Sequence, residues 1–143
     1  MLNGDGYIKV IDFGLAKILD NNSQAMSFCG TPEYLAPEMV KQEGHDKSVD
    51  WWSLGILIYE MTIGVTPFFS KSRMSLINNI KKEEVIFPDK RKYKIEYSDE
   101  FVDVVKLLLS KDKSTRLGSE GDIDEIMPHP YFAEINRAEL ESK

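Results

Sequence analysis

The first chemically suggestive feature of the chain is an acid set at the end of an apolar run. Asp12-Phe13-Gly14 directly follows Tyr7-Ile8-Lys9-Val10-Ile11. A strand of β-branched residues ending this way would carry a carboxylate at its exposed tip, with Phe13 as a hydrophobic anchor behind it. Gly14 would let the chain swing away. A second concentration of functional groups lies at Ser27-Phe28-Cys29-Gly30-Thr31-Pro32-Glu33-Tyr34-Leu35-Ala36-Pro37-Glu38, and a third at Val49-Asp50-Trp51-Trp52-Ser53-Leu54-Gly55. Glu60 and the triplet Arg116-Leu117-Gly118 complete the set. Cys29 is the single cysteine, with no thiol partner and no adjacent histidine, which speaks against nucleophile or metal-ligand chemistry. Taken singly, most of these groups have plain structural roles open to them. An acid such as Asp50 is favoured near a helix N-terminus by the dipole, and Glu60 reads equally well as a solvated carboxylate.

The order and separation of the motifs say more than any one of them. Asp12-Phe13-Gly14 followed by Ala36-Pro37-Glu38 resembles the protein-kinase signature of metal-binding Asp, activation loop and Ala-Pro-Glu. Ser27–Glu38, Val49–Gly55 and Arg116-Leu117-Gly118 together are similar to the group that contains the cyclic-nucleotide-dependent kinases, protein kinase C and protein kinase B. Within that AGC group they most resemble the protein kinase B and ribosomal S6 kinase branch. The resemblance implies a serine/threonine protein kinase, with ATP and Mg²⁺ as cofactors and Asp12 holding the metal against the phosphates. It gives the Thr31 hydroxyl a catalytic role in holding the acceptor side chain. Cys29, Pro32 and Leu35 would shape the pocket for the residue after the acceptor, and Glu60 would receive a substrate arginine. Ser27, four residues before Thr31, would be the activation-loop phosphorylation site, with Lys17 as a waiting cation. Asp50 would cap the backbone of the catalytic loop, and Arg116 would pair with Glu38. The implied partners are a Ser/Thr-containing protein or peptide with basic upstream residues and an upstream activating kinase.

The same resemblance says what the 143 residues lack. No Gly-x-Gly-x-x-Gly occurs, and the ATP-binding Lys, its Glu partner and the catalytic-loop Asp and Asn have no counterpart. The expected fold is therefore mainly α: part of a kinase-like large, C-terminal lobe over residues 1–132 with a short N-terminal β-hairpin remnant, then a frayed polar tail at 133–143. The expected consequence is a chain inactive by itself. A non-catalytic module that keeps a docking surface without a nucleotide site is the alternative reading.

Elements to position these groups can be read from pattern. Asn3-Gly4 and Asp5-Gly6 are turn dipeptides, with Tyr7–Ile11 as the returning strand. Residues 15–26 read as a polar loop. Asp46–Gly64 is apolar on more than one face and predicts a helix buried on most sides. Ser70–Lys82 predicts an amphipathic helix with Met74, Ile77 and Ile80 on its inner side. Asp89–Glu96, with Lys90, Arg91, Lys92 and Lys94, reads as a solvated basic insertion. Ser98 should cap a helix whose Phe101, Val104, Val105 and Leu108 follow the helical period. Ile123–Met127 reads as a short helix, and His129 as a packing residue.

Composition agrees with one ordinary globular unit: 42% hydrophobic and 29% charged residues. The 24 acidic and 18 basic residues leave a formal charge of −6, which argues against nucleic acid and is compatible with basic peptides. The longest apolar stretch, Trp51–Tyr59, is broken by Ser53 and Gly55 and is too short for a membrane span. Leu2-Asn3-Gly4-Asp5 is turn-like rather than a leader, and a lone cysteine suits a reducing compartment, so a cytoplasmic or nuclear location is expected.

Overall fold

The computed structural model describes residues 1, 4, 6–19, 24–26 and 30–142. Seven helices follow one another among these: α1 (Pro37–Val40), α2 (Ser48–Ile63), α3 (Arg73–Lys82), α4 (Lys90–Tyr93), α5 (Asp99–Leu108), α6 (Ile123–Ile126) and α7 (Arg137–Glu141). Short 3-10 turns lie at Phe13–Leu15, Pro32–Tyr34 and Pro130–Phe132.

The core is built where α2 meets α5. Trp52, Ile56 and Tyr59 of α2 are buried with Phe101, Val104, Val105 and Leu108 of α5. The four α5 residues are those the helical period selected. Their close approach depends on Gly55, because a methyl group there would sit 2.9 Å from Leu108 Cβ and from Leu109 Cδ2. Tyr59, Phe87, Tyr97 and Phe101 form an aromatic cluster with ring centroids 5.4–6.4 Å apart.

The helix ends follow local chemistry. Asp46 Oδ1 accepts from the Ser48 N–H at 2.9 Å at the start of α2. The helix stops at Gly64, whose φ of 89° suits a residue without Cβ. Ser98 Oγ accepts from the Phe101 N–H at 3.1 Å, the cap read from sequence. α3 begins at Arg73, capped by Ser72, and buries Leu76 and Ile80 with Ile77 half-buried. Met74 is 81% exposed, contrary to the expectation that it shares the inner side. Two residues advance a helix by about 200°, so Met74 must oppose Leu76.

Three other expectations change on contact with the structure. Among the described residues Tyr7–Ile11 forms no regular strand; Met1 and Lys9 exchange two backbone hydrogen bonds of 2.8 Å. The basic insertion is solvated but ordered into α4, capped by Asp89 Oδ1 accepting from Lys92 N–H at 2.7 Å. The polar tail carries α7, capped by Asn136 and tied to α6 by an Arg137–Asp124 ion pair. His129 is buried; it meets Asp103 at 3.2 Å through Nε2, accepts from the Tyr131 N–H through Nδ1 and packs on Phe132. None of the described helices is long and apolar enough to cross a membrane.

Candidate functional site: the docking turn and its anchor

The segment from Gly30 to Val40 carries the greatest density of the residues singled out from sequence. Thr31 starts the Pro32–Tyr34 turn in an extended conformation, with Pro32 supplying the fixed φ that a first turn favours. The Thr31 side chain makes no cap bond and is exposed, so its hydroxyl faces solvent. Pro32 is half-buried. Leu35 is buried in the core against the helices, so it supports the turn from beneath.

Two contacts pin this turn onto α2. The Tyr34 hydroxyl donates to Glu60 Oε2, and Ser53 Oγ donates to the Tyr34 carbonyl at 3.3 Å. Bonding to Glu60 pushes the Tyr34 hydroxyl up to about 12, with burial and the charges of Glu60 and Glu33 acting in the same direction. Glu60 is therefore half-buried and oriented, not a free solvated carboxylate. Sequence reading missed Tyr34 as its partner, because the contact spans 26 residues and no local pattern joins them.

The far end of the segment is fixed by a buried ion pair. Arg116 Nη1 donates to Glu38 Oε1 at 2.7 Å and Nη2 to Oε2 at 2.9 Å, the two-pronged geometry that guanidinium and carboxylate share. Nη1 also donates to the Ser48 carbonyl at 3.0 Å, and Nε to the Ser110 carbonyl at 3.2 Å. Arg116 is 0% exposed and Glu38 3%, and the guanidinium lies 5.2 Å from the centre of the Trp52 ring. The pairing read from sequence is present. Its carbonyl partners were not legible, since backbone acceptors leave no mark on residue identity.

Asp12 sits apart from this assembly. Its backbone is left-handed (φ 64°, ψ 70°), and Oδ1 accepts from the Gly14 N–H at 3.3 Å, an Asx-type turn. Phe13 is 67% exposed and, among the described residues, is not one of those packed on the core, contrary to the anchoring role expected for it. Lys17 is exposed as well. Ser27 and Cys29 lie outside the described residues. Asp50 stands in the first turn of α2, its carboxylate making no hydrogen bond or ion pair among the described residues. Although the residue is exposed overall, burial around its carboxyl pushes that group up from the usual carboxylate range.

The donor set decides what a metal would find here. Among the described residues no group of three His, Cys, Asp or Glu side chains is placed to hold an ion. Mg²⁺ prefers octahedral oxygen ligands, commonly one or two carboxylates with substrate phosphates. One exposed carboxylate already engaged with its own turn does not fit a complete Mg²⁺–nucleotide site within these residues.

Comparison with known proteins fits this geometry. Residues 1–132 match the protein kinase domain. The chain belongs to the protein kinase family. It is 39% identical over 144 residues to "Protein kinase C" of Drosophila melanogaster, covering 100% of this chain and 19% of that protein. To "Serine/threonine-protein kinase sck2" of Schizosaccharomyces pombe it is 42% identical over 145 residues, covering 100% and 22%. To the "cAMP-dependent protein kinase catalytic subunit" of Dictyostelium discoideum it is 38% identical over 138 residues, covering 95% and 20%. The kinase chain thus spans about a fifth of the length of these relatives, and the three resemble it to nearly the same degree. The mainly helical architecture is that of the kinase large lobe, with almost no strand among the described residues.

Proposed function

We propose that this chain is the acceptor-docking portion of a serine/threonine protein kinase of the AGC group, and that it does not transfer phosphate by itself. The observation that carries this reading is the Pro32–Tyr34 turn, pinned to α2 through Tyr34 and Glu60 with the Thr31 hydroxyl left exposed beside it. A turn anchored through Tyr34 presents the same hydroxyl and the same carboxylate to every peptide that arrives, which is what alignment of an acceptor requires.

In this reading the second oxygen of Glu60 receives an arginine upstream of the acceptor Ser or Thr, and Pro32 packs against the residue beyond it. Ser27 is the site at which an upstream kinase adds phosphate, with Lys17 among the cations that would meet it. ATP and Mg²⁺ are the cofactors the family reading brings, and Asp12 is the one residue of the chain assigned to them. Nothing in the chain corresponds to the groups that cradle the nucleotide or align a base, so the reaction belongs to a larger assembly. The cytoplasm or nucleus is the compartment proposed, on the lone cysteine.

The test is to purify the chain, establish its fold by near-ultraviolet circular dichroism, and titrate it by calorimetry. One titrant is Mg-ATP and the other a serine peptide with upstream arginines, each beside a phosphorylation assay. The reading expects no nucleotide binding, no turnover, and peptide binding weakened by Glu60→Gln. Micromolar Mg-ATP binding, or turnover abolished by Asp12→Ala, overturns it.

A further inference from the structure

Lys90, Arg91, Lys92 and Lys94 place four of the chain's 18 basic residues within one short stretch, against a formal charge of −6 for the whole. They are displayed on an ordered element. Asp89 caps α4, and Lys94, left-handed at φ 53°, ends it. The Tyr97 hydroxyl donates to the Pro88 carbonyl at 2.6 Å and closes the segment at its base. The Tyr97 ring packs on Phe87 and Phe101, so the cations ride on the core.

Local chemistry works against this arrangement. Lys90 and Lys94 lie four residues apart, where like charges destabilise a helix, and α4 itself contains no acid. Compensation is slight. Asp99 stands 4.0 Å from the Lys90 ammonium with its own side chain fully exposed. Lys90 lies 4.6 Å from the centre of the Tyr97 ring, and Lys92 5.1 Å from that of Tyr93. Arg91 and Lys94 make no ion pair among the described residues. Lysines elsewhere in the body are committed. Lys111 donates to the Ile80 carbonyl at 2.8 Å and the Asn79 carbonyl at 3.4 Å, and lies 3.8 Å from the centre of the Phe68 ring. Lys113 donates to the Gly44 carbonyl at 2.9 Å and meets Asp46 at 3.3 Å.

The uncommitted cations border open space. Lys90, Arg91, Lys94, Ile95, Glu96 and Tyr97 line a cavity of about 1030 Å³. Glu96 is the single acid of that lining, which therefore carries net positive charge. Ile95 and Tyr97, both half-buried, give it an apolar part.

We propose that this cavity docks an acidic peptide segment of a protein partner, with carboxylates on Arg91 and Lys94 and an apolar side chain against Ile95 and Tyr97. The Arg91 guanidinium offers the planar fork that matches a carboxylate. An anion between Lys90 and Lys94 would also relieve their repulsion. The mixed lining selects a peptide over a nucleic acid. A run of phosphates would meet Glu96 and an acidic chain, and would leave Ile95 without an apolar partner. This surface is opposite in sign to the Glu60 carboxylate and acts whether or not the Pro32–Tyr34 turn receives a substrate.

The experiment titrates the folded full chain into a fluorescein-labelled peptide of glutamates around a central leucine and reads anisotropy. Saturable binding is expected, weakened at least about tenfold in Arg91→Glu/Lys94→Glu and equally when glutamine replaces the glutamates. Lys9→Glu/Lys71→Glu makes the same change in net charge at exposed lysines elsewhere, and should weaken binding by less than about twofold. Replacing the leucine of the peptide by serine should weaken binding about threefold or more. Absence of saturable binding, or equal losses in the two double variants, overturns the proposal. So does labelled oligothymidylate that binds as tightly as the peptide, since the surface would then accept any polyanion. Unchanged affinity for the serine peptide refutes the apolar contact. Near-ultraviolet circular dichroism establishes the fold of each variant. The comparison of glutamate and glutamine peptides uses the unsubstituted chain, and equal affinity for the two overturns the proposal even where a variant does not fold.

Discussion

Residues 6–19 are richer in apolar side chains than residues 30–132, yet the two sit in the structure in opposite ways. In the first segment Ile8, Val10, Ile11, Phe13, Leu15 and Ile18 are all exposed, Ile18 by 98%. In the second, residues of the same types from α2, α3 and α5 close a continuous core around Trp52 and Phe101. The difference is not hydrophobicity but the availability of a partner surface. A helix satisfies its own backbone and needs only one neighbour for its apolar stripe, whereas a strand needs a paired backbone before its side chains can pack. Among the described residues the arm shows the Met1–Lys9 pair and, past residue 19, an antiparallel bridge between Ala25 and His45. The body has a helix pair, an aromatic cluster and a buried ion pair. It follows that stability should reside almost wholly in residues 30–132, and substitutions should sort accordingly.

The largest effect is expected at Arg116. Arg116→Ala leaves Glu38 buried and unpartnered, which should cost about 3–5 kcal/mol and shift the urea midpoint far downward. Loss no greater than that of an exposed Lys→Ala control would mean the pair does not hold the body together. Next comes Gly55→Ala, whose new methyl meets Leu108 and Leu109. Overpacking there should cost about 1–3 kcal/mol, partly offset by up to about 1 kcal/mol of helix propensity. A thermal melt that rises on this substitution would show that α2 and α5 are less tightly apposed than 2.9 Å implies. Ser98→Ala should cost roughly 1 kcal/mol through the lost cap of α5, measurable by chemical denaturation.

Smaller effects come from titration. Burial lowers the Lys111 pKa from an ordinary 10.5 to about 8 in the folded chain. Between these values the unfolded chain holds more protons, so this group makes stability rise with pH across that window. Partial solvent exposure mutes the slope. Tyr34 acts oppositely at higher pH. Its folded value of about 12 exceeds the ordinary 10, so its contribution is lost as pH climbs from 10 to 12. Lys111→Met should remove the first slope and Tyr34→Phe the second, as read from urea midpoints over that range. The smallest effect belongs to the arm: Ile18→Ser should change stability by no more than about 0.5 kcal/mol. A larger loss would show that the arm has a partner surface after all.

What the sequence disclosed and what it hid divide along the same line. Phe101, Val104, Val105 and Leu108 were legible because a buried stripe writes a period into one helix, and Ser98 because a cap is local. Arg116 and Glu38 were legible only through their likeness to kinase motifs, since 78 residues separate them. Tyr34 with Glu60, and Lys111 with the α3 carbonyls and the Phe68 ring, left no such trace. Met74 was misplaced because three apolar residues were joined across a helix without following its 100° advance, and Leu76 was passed over. Tyr7–Ile11 misled for a different reason. β-branched residues state a preference for strand, and among the described residues that preference yields no regular strand.

Native-state hydrogen exchange on the folded chain, read residue by residue, tests this division most directly. Amides of α2 and α5 are expected to exchange slowly, through a shared opening, and Arg116→Ala to accelerate them together. Amides in residues 6–19 are expected to exchange at nearly unfolded rates and to ignore that substitution. Protection of the arm comparable to that of α5, or α2 and α5 opening independently of one another, would contradict the division.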